Sequence, residues 1–66
     1  MLLVRLSDPA YQTDLIVFLR NSGVVGVARR GADVEVTGLG EDPLTRILDT
    51  WRGLHPSVRA VLIRDP

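Results

Sequence analysis

The chain contains no cysteine, no lysine and a single histidine, and its aromatic residues are one tryptophan, one tyrosine and one phenylalanine. Without cysteine there is neither a disulfide framework nor a thiol nucleophile, and without lysine there is no amine for Schiff-base chemistry. A lone histidine among scattered carboxylates lacks the clustered ligands a transition metal needs, so no metal or other cofactor is expected. No apolar run approaches the ~20 residues of a bilayer span, and no basic-then-apolar leader opens the chain. The expectation is a cytoplasmic protein with no membrane partner. Eight arginines balance eight acids, so no long-range field gathers nucleic acid.

The 66 residues suffice for one domain, spanning 1–66. A chain this short buries only about 60% of its unfolded surface. With disulfides and metals excluded, a partner subunit is the remaining source of stability, and a homo-oligomer is expected.

The element signals are regular. Leu2, Val4 and Leu6 alternate with Leu3 and Arg5 as in a strand with one more apolar face. Asp8-Pro9 pairs a helix-capping side chain with the residue favoured at the first helical position, and Tyr11, Leu15, Phe18 and Leu19 follow at helical spacing. Asn21-Ser22-Gly23 stops that helix. Val24 to Arg30 and Asp33 to Thr37 read as strands joined by a Gly31-Ala32 hairpin turn, which sets Arg30 opposite Asp33 and Val27 opposite Val36. Asp42-Pro43 repeats the helix start 34 residues after Asp8-Pro9, with Leu44, Ile47, Leu48 and Trp51 as the next stripe. Gly53 to Pro56 ends that helix, and Val58 to Arg64 reads as the last strand.

Two βαβ units with right-handed crossovers give an α+β, ferredoxin-like βαββαβ fold: a four-stranded antiparallel sheet with both helices on one face and the first and third strands central. The expected core is Leu2, Val4, Leu6, Leu15, Phe18, Leu19, Val25, Val27, Val34, Val36, Leu44, Ile47, Leu48, Trp51, Ala60 and Leu62. The other sheet face has no helix left to cover it. Leu3, Val61 and Ile63 give it apolar area, Gly26 and Ala28 leave room for close approach, and Arg5 is expected to pair with Glu35. These seven residues are the expected subunit interface. Val17 points away from the apolar stripe of its helix and is a candidate for contact with a neighbour.

No catalytic residue is expected. A serine-histidine pair would have to join His55 to Ser7, Ser22 or Ser57, and His55 lies in a turn where a solvated histidine is ordinary. Glu41 and Asp42 occupy the helix start after Gly38-Leu39-Gly40 and would repel a phosphate, with Asp42 read as the cap. Ser22-Gly23-Val24-Val25-Gly26-Val27-Ala28-Arg29-Arg30 resembles the acylphosphatase signature, displaced from its place after the first strand. Heavy-metal-associated domains would need two cysteines near Ser7-Asp8-Pro9. RNA-recognition motifs would need sheet aromatics, whereas Tyr11, Phe18 and Trp51 fall on helices.

Leu2 to Leu6, Asp8-Pro9, the helix Tyr11 to Arg20 and Ser22-Gly23-Val24-Val25 resemble the first half of ACT-like domains, small regulatory modules that dimerise and bind amino acids between subunits. The resemblance implies Asp8, Pro9 and Ala10 as the ligand loop, with alanine where that family has glycine. The expected function is a non-enzymatic, self-associating regulatory or interaction module that holds a small molecule such as an amino acid at a subunit boundary. The rival readings are an enzyme with a cleft built between subunits and a nucleic-acid binder using Arg5, Arg29, Arg30, Arg59 and Arg64.

Overall fold

A computed structural model describes residues 2–64. Its strands are β1 (Leu2–Leu6), β2 (Gly26–Arg30), β3 (Asp33–Thr37) and β4 (Ala60–Arg64), and its helices are α1 (Gln12–Asn21) and α2 (Glu41–Leu54). A 3-10 turn, Pro9–Tyr11, leads into α1. The sheet order is β2-β3-β1-β4 with every pairing antiparallel. This is the ferredoxin-like fold, with β1 and β3 in the centre. None of the described helices is long and apolar enough to cross a membrane.

The hairpin register follows the sequence pattern, with Arg30 opposite Asp33 and Val27 opposite Val36. Gly31 has φ +60° and Ala32 does not share the positive φ, the glycine-first arrangement that matches the twist of paired strands. Val4, Leu15, Leu19, Val34, Val36, Leu44, Leu48 and Trp51 are fully buried between the sheet and the helices.

Five residues of the expected core are not buried: Val25 is exposed, and Leu2, Phe18, Ile47 and Leu62 are half-buried. Val25 is 94% exposed, and Val24 is buried instead. The helix stop is the cause: Gly23, at φ +92°, donates to the Arg20 carbonyl and Val24 donates to that of Leu19, a Schellman arrangement that folds Val24 back onto Leu19. Val25 is turned outward, and the Val27 amide donates to the Val25 carbonyl, so the strand starts only at Gly26. Ile16, absent from the expected core, is buried, and Phe18 is only half-buried. The 3-10 turn winds Tyr11 at about 3.0 residues per turn, so Tyr11 does not set the phase of the α-helix that follows. Ile47 is likewise half-buried, and Val58, which lies before β4 and not within it, is buried.

The paired aspartates differ. The Asp8 carboxylate accepts from the Ala10 amide at 3.0 Å. Asp42 is not a cap: α2 starts at Glu41 with Gly40 at the N-cap, which places Asp42 inside the first turn. Asp8→Ala is therefore expected to lower stability by about 0.5–2 kcal/mol at any ionic strength. Asp42→Ala removes only a charge near the helix dipole, worth ~0.3–1 kcal/mol in low salt and screened in high salt. Urea unfolding in low and in molar salt checks both: a salt-independent loss for Asp42→Ala would contradict the assignment.

At the outer strand β4, the Ser7 amide donates to the Arg59 carbonyl, so the alternating ladder turns the Ala60 carbonyl outward. Arg52 on α2 donates to that carbonyl from Nε at 3.0 Å and also from Nη2.

Candidate functional site

The sheet face opposite the helices is built from two cross-strand rows. One runs Ala28, Glu35, Leu3, Ile63, and the next runs Arg30, Asp33, Arg5, Val61. Antiparallel register makes the row members neighbours. Leu3, Ile63 and Val61 thus form one apolar corner over β1 and β4. Val61 is 52% exposed, and Leu3 and Ile63 are half-buried.

Charges occupy the rest of the face. Arg5 pairs with Asp33 at 3.4 Å through Nε and Nη2, in place of the expected Glu35, because the register sets Asp33 directly opposite Arg5. Glu35 lies between Ala28 and Leu3 and makes no ion pair among the described residues. A Cβ at Gly26 would overlap the Oγ1 and carbonyl of Thr37, so the missing side chain accommodates the neighbouring strand. All seven residues expected at an interface are thus on or beside one face, and Gly26 adds no open space to it.

The loop of Asp8, Pro9 and Ala10 lies beyond the end of β1, with all three residues exposed. One Asp8 oxygen is already engaged by Ala10. The arginines named for nucleic acid do not share a surface. Arg5 and Arg30 lie on the open face, whereas Arg29 bonds Gln12 and Thr13 of α1, and Arg64 pairs with Glu41 of α2.

His55 is not a solvated turn residue. It is the C-cap of α2, its Nε2 lies 2.8 Å from Asp14 Oδ2, and its ring meets those of Trp51 at 4.5 Å and Tyr11 at 5.4 Å. Trp51 Nε1 donates to the same Asp14 oxygen at 3.1 Å. The cluster clasps the start of α1 to the end of α2. Ser7 Oγ accepts from the Arg59 amide and Ser22 Oγ donates to the Phe18 carbonyl, and among the described residues no serine hydrogen-bonds His55. No group of three or more His, Cys, Asp or Glu side chains among the described residues is placed to hold a metal ion.

One buried polar residue escaped the sequence reading. Gln12 Nε2 donates to the carbonyls of Gly31 at 3.0 Å and Asp33 at 2.7 Å, and its Oε1 accepts from Arg29 at 2.8 Å. It ties the hairpin turn to the first turn of α1. Its position three, four and seven residues before Leu15, Ile16 and Leu19 is the signal that placed it on the buried stripe.

Comparison with known proteins found no matching family model, no matching curated protein and no matching solved structure.

Proposed function

We propose that this chain is a non-enzymatic, self-associating regulatory or interaction module whose open sheet face is its subunit interface. The observation that carries the reading is the apolar corner of Leu3, Val61 and Ile63 on a sheet face that no described element covers, with Val61 52% exposed. A fully buried Val, Leu or Ile contributes roughly 1.5–3 kcal/mol, so burying this corner matters in a domain of 66 residues. The Arg5–Asp33 pair enters such an interface already matched. Glu35 would need a cation from the second copy, since a buried carboxylate without one is costly. The ACT-like resemblance adds the finer proposal that a small molecule such as an amino acid sits at a subunit boundary near Asp8, Pro9 and Ala10.

Light scattering at micromolar concentration is expected to show a dimer or larger particle, and Val61→Asp or Ile63→Asp to reduce it. A folded, monodisperse monomer that neither substitution affects would sink the reading. Screening amino acids for thermal stabilisation tests the finer part, since a ligand that binds only the native state raises the melting temperature.

A further inference from the structure

The opposite surface of the molecule, the helix layer, carries its own unfilled apolar feature. α1 and α2 run antiparallel, as the clasp of Asp14 at the start of α1 to Trp51 and His55 at the end of α2 requires. Between them lie two open hollows of about 260 and 240 Å³, with Phe18 lining both. Val17, 49% exposed, and Leu54, 64% exposed, stand on the rim of the larger hollow, and Ile47 lies in the smaller. Phe18 and Ile47 have the helical spacing of core residues and remain half-buried because the two helices do not close over them.

The groove also has charged ends of opposite sign. Asp14 stands at one end, where Trp51 and His55 both use Oδ2 and no donor among the described residues reaches Oδ1. Arg46 lines the other end, and its guanidinium makes no ion pair among the described residues. The nine-residue offset between Arg46 and His55 places these ends about 14 Å apart along α2.

We propose that this groove docks the helix layer of a second copy across a two-fold axis near Phe18. Such an axis exchanges the two ends, so each Arg46 meets the Asp14 of the other copy, which gives Arg46 an ionic partner and Asp14 Oδ1 a donor while Oδ2 keeps its bonds to Trp51 and His55. The same operation lets the protruding Val17 and Leu54 of each copy cover the Phe18 and Ile47 hollows of the other. A two-fold contact needs one self-complementary patch, and an apolar centre flanked by one acid and one base has that property. The chain has no net charge to oppose association.

This interface is independent of the sheet face and lies on the other side of the molecule, so together the two give particles larger than a dimer. Light scattering on the full chain separates them. The wild type is expected above dimer mass, Val61→Asp at dimer mass through the helices, Val17→Asp at dimer mass through the sheet, and the double variant as a monomer. In the Val61→Asp background, Arg46→Glu at its exposed site should weaken the remaining dimer by about tenfold or more, because attraction becomes like-charge repulsion with Asp14. Circular dichroism confirms folding, and Ala28→Glu replaces Val61→Asp if the latter unfolds. A folded sheet-face variant that is monomeric at micromolar concentration overturns the helix contact and leaves the sheet interface standing. An oligomer abolished by Val17→Asp alone and unchanged by Val61→Asp supports the helix contact and removes the sheet interface.

Discussion

Trp51→Ala is expected to cost about 3–5 kcal/mol and to be the most damaging single truncation in the chain. Trp51 is the largest of the fully buried side chains, sits between α2 and the start of α1, and meets Tyr11 edge-on at 6.4 Å. At about 0.05–0.15 kcal/mol per residue, a 66-residue domain has roughly 3–10 kcal/mol in total. The substitution would therefore remove a third or more of the stability and leave weaker preparations unfolded. Trp51→Phe keeps most of the apolar volume and loses the bond to Asp14, so it is expected to cost only about 1–2 kcal/mol. Urea unfolding followed by far-ultraviolet circular dichroism, at one fixed protein concentration because association shifts the midpoint, distinguishes the two. Equal midpoints for wild type and Trp51→Ala would contradict the burial described above.

Gln12→Leu is the second large effect. Leucine matches the size and apolar surroundings of the site but leaves the Gly31 and Asp33 carbonyls without their donor and Arg29 Nη1 without its acceptor. Orphaned partners cost about 1–3 kcal/mol, and the expected loss is about 2–3 kcal/mol in spite of the added hydrophobicity. Gln12→Glu tests the direction of the amide. It retains an oxygen for Arg29 but turns a second oxygen toward two carbonyls, so it should lose at least as much as leucine. In both variants the amides of residues 30–33 are expected to exchange faster with solvent, because the hairpin turn is no longer pinned to α1. A Gln12→Leu variant as stable as wild type would show that the hairpin is held without this bond.

The parts of the fold that were legible in the sequence are those where two independent local signals agree. The β2–β3 register is one: the Gly31-Ala32 turn and the alternation of Val34 and Val36 both point to the same pairing. Strand alternation carried through Val24 to Arg30 puts Val25 inside, but the start of that segment belongs to the end of α1, where the Schellman bonds decide which valine faces inward. Asp42-Pro43 does not by itself locate the cap, because Asp-Pro is compatible with the first turn of a helix as well as with its cap, and Gly40 holds the cap position without any side-chain bond. The seven face residues were legible because strand alternation alone assigns sides. The pairing of Arg5 with Asp33 was not, since it depends on register across β1 and β3, which are separated by a whole helix and a hairpin. Asp14 and His55 are 41 residues apart, and no local pattern links them. Gln12 carries a local signal, its place on the stripe of Leu15, Ile16 and Leu19, but its partners Gly31 and Asp33 lie in a distant hairpin that no local pattern links to it.

The side chain of Arg52 has a consequence for how this protein avoids uncontrolled growth. A sheet lengthens sideways when an incoming strand finds unpaired amides and carbonyls along its margin. On the β4 margin the Ala60 carbonyl is already taken by the Arg52 guanidinium, and on the β2 margin the Val27 amide is turned back to Val25. An added strand would have to displace a charged hydrogen bond on one side or unwind a turn on the other. Lateral, fibril-like recruitment thus meets an obstacle at one position on each margin. Arg52→Ala is the substitution that would reopen the β4 side to it.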